Sequence, residues 1–206
     1  MSGDEANCNT SMTDSWSTLP LSDQNFFFQL RHHFHHYKKP TGRDKRIEAF
    51  RTEILLCLHF IDKDMINRAN RSRLIGMSII GPFIIINTRI LRMFLGRSKS
   101  SINGGLQQLG YVAVRNKVKA KQCMIQAIPT LESELSFMKQ WSVRASSKNS
   151  LFCFLSKFPC KSIPEINDND LLFEKAITSD YDDNQSFSDF NICLEFNEES
   201  GTFFNF

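Results

Sequence analysis

Apolar positions along this chain follow helical spacing for the first sixty residues and then change period. Phe27, Leu30, Phe34 and Tyr37 share one face if Leu21 to Tyr37 is a helix. Lys38-Lys39-Pro40-Thr41-Gly42 breaks that pattern with a proline and a glycine. From Arg43 to Ile61 the stripe Ile47, Phe50, Ile54, Leu55, Leu58 and Ile61 predicts a second amphipathic helix. Asp62 to Ser72 is polar and basic, part loop and part helix. Pro82 to Ile86 is short and β-branched, which predicts a buried strand. Thr88 can N-cap a helix over Arg89 to Leu95, with Ile90, Leu91 and Phe94 inward and Gly96 closing it. A polar turn, Arg97 to Ser101, starts a further helix from Lys99 to Leu109 that closes at Gly110. Val112 to Val114 and Cys123 to Ile128 read as two strands joined by the basic segment Arg115 to Gln122. Thr130 to Met138 reads as a last helix, followed by Trp141, and from Ala145 onward the pattern decays.

Strand, helix, turn, helix and two strands, in that order, make a winged helix. The expected fold class is mainly α with a small β-wing, a winged helix–turn–helix domain over residues 19–145. A flexible N-terminal arm, 1–18, precedes it. A linker with a short apolar patch, 146–161, and an acidic, aromatic tail, 162–206, follow; the tail is expected to be a largely disordered interaction region. A chain of 206 residues has room for one ordinary domain plus such tails. The most apolar stretch, Leu74 to Asn87, is shorter than the roughly 20 residues of a membrane span and Pro82 interrupts it, so no membrane segment is expected. The N-terminus is acidic and Ser-rich, without the apolar run of a signal peptide, and the six cysteines include no C-x-x-C pair. Both features point to an intracellular, reduced chain.

The overall net charge of +3 conceals a strong sorting. Residues 1–30 carry −4, residues 31–122 carry +14, residues 123–161 carry +3 and residues 162–206 carry −10. Between Met65 and Leu131 there are eleven Lys and Arg and no acid. A one-signed surface repels itself, and a polyanionic partner is the usual reason to keep one. The other accounts of such a field are a solvated basic face or a face covered by the acidic tail.

The helix–turn–helix is suited to double-stranded DNA. In helix Lys99–Leu109, Ile102, Leu106 and Leu109 share an inward face, while Ser100, Asn103, Gly104, Gln107 and Gln108 lie on or near the opposite one. Asn and Gln can pair bidentately with adenine, and Ser serves several bases. Gly104-Gly105 costs roughly 1–2 kcal/mol of helix propensity relative to two alanines, and permits a close approach to DNA or to another helix. Arg97, Ser98, Lys99, Ser100 and Ser101 put two cations and three hydroxyls at a helix N-terminus. That is a phosphate site by charge and donor count, or simply a well-capped helix with Ser98 as N-cap. Arg115, Lys117, Lys119 and Lys121 alternate, so on an extended hairpin they form a cationic comb for a phosphate backbone or minor groove, or else a solvated edge strand. Arg68, Arg71 and Arg73 are a third basic group that could touch the DNA backbone.

The string Thr88-Arg89 through Arg97-Ser98-Lys99-Ser100-Ser101-Ile102-Asn103-Gly104, continued by Leu106-Gln107-Gln108-Leu109-Gly110-Tyr111, resembles the initiator-binding domain family of parabasalid protist transcription proteins. The similarity extends over about residues 43–145 and includes Trp141-Ser142-Val143-Arg144. It implies a winged-helix domain that recognises promoter, initiator-like elements in transcription regulation or initiation.

Several further expectations follow. The tail intersperses acids with Phe173, Tyr181, Phe187, Phe190, Phe196, Phe203, Phe204 and Phe206, a composition that suits recruitment of the transcription machinery or a coactivator. Alternatives are a solubilising tail and a DNA mimic that autoinhibits a non-specific nucleic-acid binder. A protein-interaction winged helix is the main rival function. Lys38, Lys39, Arg43, Lys45 and Arg46 form a possible nuclear import signal in a chain expected to be nuclear, or a basic loop and helix start. His32, His33, His35 and His36 lack a Cys or carboxylate at metal-ligand spacing. No nucleotide loop or catalytic constellation is evident. No cofactor, metal or catalytic residue is assigned, and the chain is not expected to be an enzyme.

Overall fold

The computed structural model describes residues 15–146 and 171–172. Residues 1–14 of the arm, most of the linker and the acidic tail apart from Leu171 and Leu172 lie outside them. The end of the expected flexible arm, residues 15–17, is instead a helical turn whose Trp16 packs edge-on against Phe27 and Phe28. Helix α1 spans Leu21–His36 and α2 spans Arg43–Ile61. Helix α3, Arg68–Ile75, stops at Gly76, whose φ of 79° is left-handed. A Cβ there would sit 2.7 Å from Ile90 Cβ and 2.8 Å from the Leu91 nitrogen, so this glycine is required twice over.

Two strands follow, β1 (Met77–Ile80) and β2 (Phe83–Ile86), joined by the tight turn Gly81-Pro82. The sequence predicted only the second. Both strands are buried at every position, so no polar alternation marks them. Helices α4 (Thr88–Leu95) and α5 (Lys99–Gln108) form the helix–turn–helix, with Gly96 left-handed at the turn. The N-cap of α4 is Asn87 rather than Thr88: its Oδ1 accepts from the Ile90 amide at 3.2 Å. Strand β3, Tyr111–Val114, matches the expected strand.

The second expected strand, Cys123 to Ile128, is not one. Helix α6 runs Lys117–Ala127, and Asn116 caps it by accepting from the Val118 and Lys119 amides, both at 3.1 Å. Ala120, Cys123, Met124 and Ala127 pack inward at i, i+3, i+4 and i+7, which is helical spacing. The basic hairpin over Arg115 to Gln122 therefore does not form. A 3₁₀ turn over Pro129–Ser133 and a short helix α7, Leu135–Met138, replace the single expected helix. The strand that pairs with β3 is β4, Ser142–Ser146. A helix–turn–helix followed by the antiparallel pair β3–β4 is a winged-helix arrangement whose wing connection contains helices.

The antiparallel sheet has the order β1-β2-β4-β3-β5, where β5 is Leu171–Leu172, pairing with Val114 and Ala113. Two residues of the expected tail, Leu171 and Leu172, thus supply an edge strand. The sheet is covered on both faces. Met77, Ile79, Ile84 and Ile86 meet α1, α2, α4 and α5, while Ile80, Phe83, Ile85, Val143 and Ala145 meet α6, α7 and Trp141. Consecutive residues of β2 thus serve opposite cores, as strand geometry requires. Helices α5 and α6 consequently belong to cores on opposite faces of the sheet.

Candidate nucleic-acid interface

Helix α5 is held by its inner face. Ile102 and Leu106 are fully buried, and Gly105 lies against α2, where a Cβ would come within 2.5 Å of the Phe50 ring. Its outer face carries Lys99, Ser100, Ser101, Gln107 and Gln108, all exposed, with Asn103 and Gly104 half-buried at its edge. A Cβ on Gly104 would meet no heavy atom within 4 Å. The adjacent glycines therefore differ: packing explains Gly105, and nothing in the described protein explains Gly104.

The turn before α5 is locked from below. Arg97 donates from Nε to Glu53 Oε2 at 2.5 Å and from its terminal nitrogen to Oε1 at 2.8 Å. Both side chains are 7% exposed, and the guanidinium lies 5.3 Å from the Phe50 ring centroid. Its remaining nitrogen donates to Ser101 Oγ at 3.3 Å. Lys39 donates to the Gly96 carbonyl at 2.5 Å, and partial burial followed by the nearby Arg97 charge lowers its pKa, with Glu53 opposing. A His35 ring nitrogen bonds the Met93 carbonyl at 2.9 Å. Ser98 caps α5, accepting from the Ser101 amide at 3.1 Å, and its hydroxyl lies 3.0 Å from that of Ser100.

The expected site residues separate into groups. Ser98, Lys99, Ser100, Ser101, Asn103, Gly104, Gln107 and Gln108 are brought together on α5 and its cap. Arg97 is next to them, but its charge is directed at Glu53. Arg115, Lys117 and Lys121 are exposed and Lys119 half-buried, on the β3–α6 connection and on α6 itself. The two-residue alternation that would have made these cations a comb is lost on a helix, where residues two apart point nearly opposite ways. Of the possible import signal, Lys38, Arg43, Lys45 and Arg46 are exposed, and Lys39 is committed to Gly96.

The third basic group is turned inward. Arg68 pairs with Asp62 at 2.8 Å, Arg71 with Asp23 at 2.8 Å and also with Asp64, and Arg73 pairs bidentately with Glu134 at 2.8 and 2.9 Å. Every acid that neutralises a cation of the acid-free stretch comes from outside it. The exposed Lys99, Arg115, Lys117 and Lys121 make no ion pair among the described residues.

Sequence reasoning missed Glu53 and Arg144. Glu53 lies between Phe50 and Ile54 on the buried side of α2, and a carboxylate there signals a buried cation partner. Arg144 of β4 donates to Asn103 Oδ1 at 2.9 Å, from a strand otherwise alternating with buried Val143 and Ala145. Among the described residues, no group of His, Cys, Asp and Glu is arranged to hold a metal, and no helix is long and apolar enough to cross a membrane.

No curated protein and no solved structure matches this chain. The family model described as the transcription-initiator DNA-binding domain, IBD, matches residues 21–148, from the start of α1 to just past β4. That span holds the helix–turn–helix, the inner ion pairs and all of both cores except Leu19, Leu171 and the Trp16 packed against the first of them, and covers well over half of the 206 residues. The chain belongs to the transcription-initiator DNA-binding domain family.

Proposed function

We propose that this chain binds double-stranded promoter DNA at an initiator-like element, with α5 in the major groove. Ser100, Asn103, Gln107 and Gln108 read base edges through hydroxyl and amide groups. Lys99 and the amides at the α5 N-terminus hold a phosphate. Arg97 acts from beneath, fixing the turn that carries these groups. In this reading the protein works in the nucleus, and the acidic, aromatic segment 162–206 recruits a partner in transcription.

The observation that carries the reading is Gly104. A glycine inside a helix costs about 1 kcal/mol relative to alanine. No internal contact demands it, because a side chain there would enter open space. It stands between Asn103 and the exposed Gln107 and Gln108, where a helix seated in a groove approaches DNA most closely. Family membership supports the same reading.

Selection of the full chain on a random double-stranded DNA library, followed by a salt titration, tests it. The expected result is a short enriched motif with log affinity falling steeply against log salt, about 0.9 per phosphate contacted. Enrichment of no motif with a steep slope would leave a non-specific binder. No binding at all would favour a domain that docks a protein.

A further inference from the structure

We infer that Arg144 is a positioning residue for base recognition: it fixes which way round the Asn103 amide faces, and so which base pattern Asn103 accepts. The inference rests on α5 being the reading helix.

Arg144 lies in the middle of β4, a central strand flanked by β2 and β3. Its cross-strand neighbours are Ile84 and Ala113. Val143 and Ala145 belong to the core on the α6 face, so Arg144 points to the α5 face. There its terminal nitrogen is 2.9 Å from Asn103 Oδ1. A guanidinium has only donors, so the Asn103 atom it faces must be the carbonyl oxygen. The Nδ2 donors are thereby turned away from β4.

This matters because a side-chain amide is nearly symmetric in shape. An unconstrained asparagine can rotate half a turn about its last bond and exchange oxygen for nitrogen at little steric cost. At a base edge it would then serve a donor or an acceptor almost equally. Gly104 alongside contributes no side chain that could hold the amide. Arg144 is the group that does, and it is half-buried on a rigid strand rather than on a loop. With the oxygen retained on the protein side, Asn103 offers a donor outward. The bases that suit it present an acceptor in the major groove: the N7 of either purine, guanine O6 or thymine O4. A cytosine N4 amino group at that position is refused.

The test uses the full chain and the motif selected by the wild type. Affinity is measured for all four bases at each position, for the wild type, Arg144→Met, Arg144→Lys, Asn103→Ala and the double variant Arg144→Met with Asn103→Ala. The wild type is expected to prefer an acceptor-bearing base at the position it reads with Asn103. Arg144→Met should flatten that one position by roughly tenfold, as Asn103→Ala does. The double variant should be no flatter than either single, and Arg144→Lys should recover part of the preference. Two outcomes overturn the inference. If Arg144→Met keeps the wild-type base profile, Arg144 does not set it. If Arg144→Met weakens every sequence equally and lowers the salt slope by about one contact, Arg144 binds phosphate instead. A uniform loss with a fallen melting temperature and an unchanged slope would mark a purely structural role and equally overturn it. Failure of the underlying reading is distinguishable, because the wild type would then select no motif. The Asn103 side-chain amide signals in NMR spectra of the DNA-free protein would still report whether Arg144 holds it, by their shift in Arg144→Met.

Discussion

Gly104 and Gly105 are adjacent and serve different neighbours. A methyl group at Gly105 would come within 2.5 Å of the Phe50 ring, which is buried beneath Arg97 and cannot yield cheaply. Gly105→Ala should therefore lower stability by about 1–3 kcal/mol, as overpacking does. Gly104→Ala meets no neighbour and removes backbone freedom, so it should raise stability by up to about 1 kcal/mol. The same substitution should weaken binding to the selected DNA. Urea unfolding of both variants, with the affinity of the second, checks the pair; a Gly104→Ala chain that is stabilised and binds as before would remove the close-approach argument. The sequence displays both glycines but not the difference, since Phe50 meets Gly105 only after α2 and α5 pack. The α4 cap was nearly legible for the opposite reason. Asn87 and Thr88 are both good caps, and local sequence alone does not choose between adjacent candidates.

Helices α5 and α6 show what periodicity reveals at the scale of an element. The bounds of α5 were legible within a residue because Ser98 caps it, Gly110 follows it and Ile102 and Leu106 mark its buried face. In α6 two periods compete. Alternating cations over Arg115 to Lys121 suggest an extended strand, whereas Ala120, Cys123, Met124 and Ala127 suggest a helix. The buried residues decide, because they bury apolar area while exposed lysines gain nothing from either geometry. Gln122→Pro, at an exposed position inside α6, should therefore cost about 3 kcal/mol or more and reduce the helical circular dichroism signal. A connection at the end of a hairpin would tolerate it, so an unchanged melting curve would contradict α6. Glu53 is a second link between elements, joining α2 to the turn before α5. Glu53→Ala leaves Arg97 buried without its carboxylate and should destabilise by about 3–5 kcal/mol in thermal or urea unfolding, well beyond an ordinary surface change.

Across the whole molecule, charge that is sorted along the sequence is partly re-paired by the fold. The acid-free stretch from Met65 to Leu131 sends Arg68, Arg71, Arg73 and Arg97 inward to acids on α1, on α2, on the loop after α2 and just before α7. Counting charges predicted a basic field, but not which cations compose its surface, because that depends on long-range pairing. Asp23 shows the consequence for stability. Burial alone would raise its carboxyl pKa, but hydrogen bonds from Lys63 at 2.6 Å and Arg71 at 2.8 Å, with their charges, outweigh this and hold it below its ordinary value. A carboxylate depressed in the fold contributes fully above its unfolded pKa of about 3.9 and loses that contribution as pH falls through its folded value. Asp23→Asn should be destabilised at neutral pH and less acid-sensitive than the wild type below about pH 4. On the proposed reading, the same pairing sets the salt response of DNA binding. Lys99→Met should lower the log–log slope by about 0.9, since Lys99 is exposed beside the α5 N-terminus and unpaired among the described residues. Arg73→Met should leave the slope unchanged despite removing the same formal charge, because Glu134 already neutralises Arg73. Both are measured at a temperature where circular dichroism shows the variant folded. Equal losses of slope would mean that overall charge, rather than the cations the fold leaves at the surface, drives binding.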